Sequence, residues 1–179
     1  FLHFHDFLEI GYCVSGSGVC CVDGIEYSFK NGDVQIVFPY QKHISKSNGE
    51  DTSHWRWLNI NPYTILTLAG FPDFRNLLEL IHGRMALCGI FSFEDYPVIS
   101  KIAYDLLNKI INKSDSFYKE SFALKFYELI IELAKISDNL PKLNIESKNS
   151  INSILPAVNA INDGILEGTI PTINDLAVL

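Results

Sequence analysis

The first sixty residues run on a short beat. β-branched and aromatic residues come in short runs, each closed by a turn signal, and this predicts strands over 8–15, 19–23, 25–29, 34–38, 43–46 and 54–60. The separators are Ser15-Gly16-Ser17-Gly18, Asp23-Gly24, Lys30-Asn31-Gly32-Asp33 and Pro39. Asp-Gly is a strong hairpin signal. Many short antiparallel strands with Gly-rich turns predict a barrel or sandwich. A two-residue hairpin at Gly16-Ser17 would set Cys13 opposite Cys20.

Beyond about residue 70 the apolar spacing lengthens to three and four. Residues 73–83 carry Phe74, Leu77, Leu78 and Ile81 in this rhythm. Ser92, Glu94 and Asp95 mark a helix start. The stretch from there to Lys113 carries Ile99, Ile102, Ala103, Leu106, Leu107, Ile110 and Ile111 on one face. A third helix is predicted over 116–136, with Phe122, Phe126, Leu129, Ile130 and Leu133 as its stripe. Two such helices in succession read either as a helix hairpin or as a surface that pairs two copies. The polar stretch 138–149, with Pro141, reads as a linker. Residues 151–163 read as a helix broken at Gly164, and Thr172 as the N-cap of another, with Asp175 three residues on. The fold class is therefore α+β: a β-barrel over 1–70, a helical segment over 71–137, a linker over 138–150 and the start of a further helical domain over 151–179. The chain opens at Phe1 without a basic leader and stops at Leu179 inside a predicted helix, so it is expected to be a trimmed piece with no signal peptide.

Charge and composition narrow the partners. With 47% hydrophobic and 20% charged residues the chain is of ordinary globular type, and no apolar run is long enough to span a bilayer, so no membrane partner is expected. A net charge of −7 argues against a DNA grip by this chain itself, because neutralising phosphates needs a basic face. The four cysteines fit no zinc spacing. Reduced thiols in a cytoplasmic protein are the preferred reading over a strained Cys13–Cys20 bridge.

The chemistry concentrates near the amino end. His3-x-His5-x-x-x-Glu9, with His43 further on, offers three nitrogens and one carboxylate, a set that suits Fe(II), Mn(II), Ni(II) or Zn(II). On a straight strand His5 and Glu9 would stand roughly 13 Å apart, beyond the reach of one ion, so a metal site requires a bend around Asp6-Phe7. Without the bend these polar residues line a wet barrel interior. Trp55 and Trp57 share a strand face with Asn59 and Asn61. That wall suits a polyhydroxylated ligand, or is simply barrel core. His82, at a predicted helix end, is expected to interact with the helix C-terminus.

The run His3-x-His5, three residues, Glu9, six residues, Gly16 resembles the first cupin motif. Gly32, Pro39 and His43 resemble the second. There the glycine after the proline is replaced, and Tyr40-Gln41-Lys42 stands where cupins have small residues. With Gly16-Ser17-Gly18, Asn31-Gly32-Asp33, Pro39-x-x-x-His43 and Trp55-x-Trp57-Leu58-x-Ile60-x-Pro62 added, the chain is similar from end to end to the sensor part of AraC-family transcription regulators. Residues 92–137 resemble the family's subunit-pairing helical segment. Ala157-x-x-Ala160-Ile161-Asn162-Asp163 and Thr172-Ile173-x-Asp175-Leu176-Ala177 resemble the opening of its helix-turn-helix domain.

The resemblance implies a cupin-like double-stranded β-helix barrel and a homodimer. It implies a small-molecule effector, a sugar or another metabolite, bound by His5, Glu9, Cys13, His43, Trp55, Trp57 and Asn59, with Tyr12 turned the other way, towards the helices. The metal ligands, if any, would be His3, His5, Glu9 and His43, a divalent transition metal being the one candidate cofactor. It implies no enzymatic activity. DNA would be met only through a missing C-terminal part that carries the recognition helix, so this stretch alone is expected not to bind DNA specifically. The alternative is a metal-dependent cupin enzyme of the dioxygenase or isomerase type.

Overall fold

The computed structural model describes residues 1–49, 52–61, 87–111 and 116–139, together with Ala160 and Thr172. The chain forms two compact units, Phe1–Lys142 and Leu143–Leu179, and every element named below belongs to the first. The predicted helix over 73–83, His82, most of the 138–150 linker and the predicted helix-turn-helix start over 151–179 lie outside the described residues, apart from Ala160 and Thr172.

Among the described residues, seven strands and two helices follow one another: β1 (Leu8–Ser15), β2 (Ser17–Val22), β3 (Ile25–Lys30), β4 (Val34–Val37), β5 (His43–Ser47), β6 (His54–Ile60), β7 (Gly89–Phe91), α1 (Pro97–Ile111) and α2 (Tyr118–Asn139). The strands make two antiparallel sheets, ordered β6-β1-β4-β7 and β3-β2-β5. This is the α+β class that the hydrophobic pattern predicts, in the cupin-like form that the resemblance implies.

Period-two alternation gives β1 two different faces. Leu8 and Ile10 are fully buried, and the Tyr12 ring stands 5.4 Å from that of Tyr104 on α1. Val34 and Ile36 of β4 and Phe91 of β7 join them in one core with Ile99, Ile102, Ala103, Leu106 and Leu107 of α1. The predicted stripe on α2, Phe126, Leu129, Ile130 and Leu133, completes that core. Each buried Val, Leu, Ile or Phe side chain among them contributes about 1.5–3 kcal/mol by leaving water. The other face of β1, with Glu9, Gly11 and Cys13, looks towards the second sheet.

Two features depart from the sequence reading. Gly16-Ser17 makes no hairpin: β1 pairs with β4 and β6, and β2 pairs with β3 and β5, so the chain crosses between sheets at Gly16, whose φ is 85°. Cys13 and Cys20 are therefore not cross-strand partners, and none of the four cysteines forms a disulfide. The second departure is β7, which pairs with β4 from within a segment read as helical. The Asp23-Gly24 hairpin does form, with φ of 49° and 86°, the backbone a two-residue turn needs.

A buried joint ties the barrel to α1. Asp33 is 2% exposed, and its carboxylate accepts hydrogen bonds from Lys30 N and Phe93 N, both at 2.9 Å. The Ser100 hydroxyl, on α1, donates to Gly32 O at 2.6 Å. Cys13 N donates to Asp33 O and Gly32 N to Cys13 O, each at 2.9 Å. The turn that ends β3 is thus held by β1, by the loop before α1 and by α1 itself. The helix start predicted at Ser92 is instead a turn: the Ser92 hydroxyl accepts from Asp95 N at 3.1 Å and donates to the Asp95 carboxylate at 2.6 Å, and α1 opens only at Pro97.

Candidate functional site: a histidine–carboxylate cluster beside an aromatic wall

The chain bends at Asp6 and Phe7, where the reach argument requires it. The bend brings His5 Nε2 to 3.4 Å from Glu9 Oε2, although the two are four residues apart. His43, at the start of β5, brings its Nε2 to 3.5 Å from Glu9 Oε1. The donor atoms of His5, Glu9 and His43 all lie within 4.8 Å of one another. His3 stands outside this group. It is exposed, its Nδ1 lies 3.1 Å from Phe1 O, and it makes a main-chain bridge to His43, with His3 N donating to His43 O at 3.1 Å and His43 N to His3 O at 2.9 Å.

Main-chain carbonyls set the imidazole tautomers. His5 Nδ1 lies 2.9 Å from Phe7 O, and His43 Nδ1 lies 3.0 Å from Gln41 O. A carbonyl only accepts, so each Nδ1 carries the proton and each Nε2 presents a lone pair when the ring is neutral. Both Nε2 atoms are buried and make no hydrogen bond among the described residues. Two lone pairs and a carboxylate thus face one another, a set that repels itself unless a proton or a cation lies among them. Burial first, then the neighbouring His43, holds His5 below the usual histidine range against the pull of Glu9. Burial would also lower His43, but its contact with Glu9 and its bond to the Gln41 carbonyl outweigh that and leave it raised.

The donor set fits a divalent transition ion. Two imidazoles and one carboxylate form the facial triad that leaves other coordination positions open, and histidines whose second nitrogen is tied to a carbonyl are oriented ligands. Three donors bound facially at about 2.0–2.2 Å stand about 3 Å from one another, so the group, whose donor atoms lie within 4.8 Å, must close around an ion.

The cluster continues into a wall built row by row. Glu9 is flanked by Asn59 on β6 and Val37 on β4. Gly11 is flanked by Trp57 and Gln35, and Cys13 lies opposite Trp55. The Trp55 and Trp57 rings stack at 4.9 Å and 16°. Phe29, from the other sheet, meets Trp55 edge-on at 4.8 Å, so the wall faces between the sheets. Trp57 is 41% exposed and Asn59 is also exposed, although both point to this inner side.

The site residues expected from the sequence therefore fall into three sets. His5, Glu9 and His43 converge, and Trp55, Trp57 and Asn59 share the adjoining wall, whereas the His3 ring lies beside that of His43, centroids 4.3 Å apart, without joining the group of donor atoms. Cys13 is on the same face but fully buried, its thiol pushed up to about 11 by burial and by the charge of Asp33, so it fills space as a protonated thiol. Sequence reasoning missed Gln35. It is fully buried on the inner face, its Oε1 accepts from the Ser45 hydroxyl of the other sheet at 2.9 Å, and its Nε2 makes no hydrogen bond among the described residues. The one available signal was a glutamine within an otherwise apolar strand. Arg56 and His54 lie on the β6 edge, where Arg56 donates to Asn108 of α1 at 2.9 Å.

Comparison with known proteins adds a family. The model of the AraC-like ligand binding domain matches residues 1–126. No curated protein matches the chain. Among solved structures, the plu4264 protein of Photorhabdus luminescens is 14% identical, with a TM-score of 0.35 over 39% of this chain and 59% of its own. A cupin protein (BF4112) of Bacteroides fragilis is 25% identical, with a TM-score of 0.31 over 34% of this chain and 52% of its own. An apo ToxT variant of Vibrio cholerae is 13% identical, with a TM-score of 0.48 over 98% of this chain and 62% of its own. The chain thus spans less than two thirds of the length of each of these structures. Among the described residues, no helix is long and apolar enough to cross a membrane.

Proposed function

Because the chain belongs to the AraC-like ligand binding domain family, we propose that it is the sensing part of a ligand-responsive transcription regulator. It takes a small oxygen-rich metabolite, sugars included, between its two sheets. It pairs with a second copy through α1 and α2, and it controls sequence-specific DNA binding by a C-terminal region. The observation that carries this reading is the open inner wall: Trp57 and Asn59 are exposed on the face that also holds buried Gln35, and buried His43 comes from the other sheet. Binding sites of this kind combine aromatic surface with a few converging polar groups. The exposed apolar side chains Val98, Tyr104 and Leu124 on the helices support the pairing.

The test is binding of the complete gene product to the promoter region of its own gene, with metabolites of the neighbouring genes' pathway added one at a time. A change of at least about tenfold in affinity, some 1.4 kcal/mol of coupling, supports the reading. A complete product that binds no promoter DNA overturns it. Tight specific binding by residues 1–179 alone would overturn the division of labour.

A second reading, a metal-dependent cupin enzyme of the dioxygenase or isomerase type, is favoured by one observation: the convergence of His5, Glu9 and His43. Turnover of a substrate by metal-loaded protein supports it.

A further inference from the structure

The sensor reading leaves two features of the inner face unexplained. One is a trio of hydrogen-bond acceptors without a donor. His5 Nδ1 and His43 Nδ1 are each committed to a main-chain carbonyl, so their buried Nε2 atoms meet Glu9 with lone pairs only. Both rings are held in place: that of His5 stacks on Phe7 at 3.8 Å and 8°, and that of His43 packs against His3 at 4.3 Å. The other feature is Gln35, fully buried, whose amide Nε2 makes no hydrogen bond among the described residues. Glu9 pairs with Val37 and Gly11 with Gln35, so Glu9 and Gln35 are diagonal neighbours on one face, about 7–8 Å apart. Trp57 flanks Gly11 on the other side.

We propose that the effector is a primary amine on a polyhydroxylated body, an amino sugar or aminocyclitol, whose ammonium group donates to His5 Nε2, Glu9 and His43 Nε2, and whose far oxygen accepts from Gln35. This effector class rests on the sensor reading, which puts the ligand at the inner wall. An ammonium group carries three N–H donors on one atom, one for each acceptor. A proton on either ring serves one contact with Glu9 and leaves the other Nε2 bare. Size agrees as well. Charge-assisted bonds of about 2.7–2.9 Å, leaving one nitrogen at tetrahedral angles, reach acceptors up to about 4.4–4.7 Å apart. The three acceptor atoms lie within 4.8 Å of one another, so an ammonium spans the group as it stands. A transition ion requires the group to close to about 3 Å. With neutral rings the cluster has a net charge of −1 from Glu9, which selects a cation of one charge. Next to the cluster, the Gln35 amide suits a hydroxyl or ring oxygen about one sugar ring away. The stacked Trp55 and Trp57 suit the apolar face of that ring and attract a nearby cation.

The whole chain is titrated by calorimetry near neutral pH, in EDTA and in a buffer free of Tris and ammonium, which would compete. The probes are D-glucosamine, 6-amino-6-deoxy-D-glucose and 2-deoxystreptamine, each beside an uncharged match: N-acetyl-D-glucosamine, D-glucose and myo-inositol. At least one amine is expected to bind more than about tenfold tighter than its match, and n-butylamine, without the far oxygens, to bind more weakly than that amine. The emission of Trp55 and Trp57, the only two tryptophans, should change on binding. Glu9→Gln, close to isosteric, should weaken the amine by more than about tenfold, and Gln35→Leu by about fivefold with n-butylamine unaffected. Thermal unfolding verifies that both variants are folded.

Failure of all three amines to bind folded wild type overturns the proposal. So does an uncharged match that binds as tightly as its amine, full affinity in folded Glu9→Gln, or amine binding that appears only after Co(II) is added. Promoter binding is measured without assuming an amine, so the sensor reading fails or stands separately.

Discussion

The indole of Trp57 occupies the space that any side chain at Gly11 would need; a Cβ built there would stand inside the ring's van der Waals surface. The two residues are register partners on neighbouring strands, so the glycine is what lets the tryptophan lie across the inner wall. Gly11→Ala is expected to push Trp57 off the wall, at a cost of about 1–3 kcal/mol as overpacking. Tryptophan emission, which reports Trp55 and Trp57 alone, should change in the folded protein, and thermal unfolding measures the loss. Unchanged emission and stability would refute the crossing.

The joint at Asp33 is expected to be the most sensitive polar site in the described residues. Asp33→Ala leaves two amide donors, those of Lys30 and Phe93, without their partner, for a predicted loss of about 2–4 kcal/mol. Ser100→Ala removes a single hydroxyl bond to Gly32 O and should cost about 1 kcal/mol. Denaturant unfolding of the two variants checks both the order and the sizes.

Alkaline pH should destabilise the fold through two buried thiols. Burial raises the Cys13 thiol from 9.0 to about 11 and the Cys20 thiol from 9.0 to about 12. In the unfolded chain both thiols lose their protons above about pH 9, while in the folded chain they keep them. The unfolded state then binds fewer protons, so stability falls as pH rises from 9 towards 11 and 12, by up to about 1.4 kcal/mol per pH unit for each thiol. Unfolding free energies measured from pH 8 to 11 test this, and replacing Cys20 by Ala should flatten the slope. At pH 8, alkylation of native protein should reach the half-buried Cys21 well before Cys13 or Cys20.

Leu124 is 60% exposed on α2. If α1 and α2 pair two copies, Leu124→Glu places a charge in the interface and should weaken self-association by at least about tenfold. Sedimentation at matched concentrations reads the shift. The melting temperature of the monomer should stay unchanged, because the side chain is absent from the intramolecular core.

Much of the fold was legible because its signals are local. Asp23-Gly24 fixes a hairpin by its own φ preferences, and the stripe from Phe122 to Leu133 needs only the helical period. Strand partnership is not local. The segment at Gly16 reads as a hairpin because its neighbours look like strands, and nothing nearby in sequence reveals that the chain crosses to a second sheet there. β7 was illegible for a different reason: three residues, Gly89–Phe91, are too few to show any period. At the site, the bend at Asp6-Phe7 followed from reach alone. Parity along an extended segment, however, could not separate His5, which the bend turns inward, from His3. Tyr40 is instructive too. It stands where the cupin motif has glycine, yet it keeps the positive φ of 67° that glycine would favour, and its amide donates to His5 O at 2.7 Å. The backbone shape survives the substitution.

The bend that makes His5 and Glu9 neighbours has a consequence for how the site comes into being. Those two groups are close in sequence and can meet while the chain is still searching. His43 comes from β5, four strands later and in the other sheet, so it joins them only when the two sheets meet. The cluster is therefore complete only in the closed barrel, and any ion that needs all three donors discriminates between native and unfinished chains. Such an ion would act as a clasp, its affinity appearing directly as resistance to unfolding.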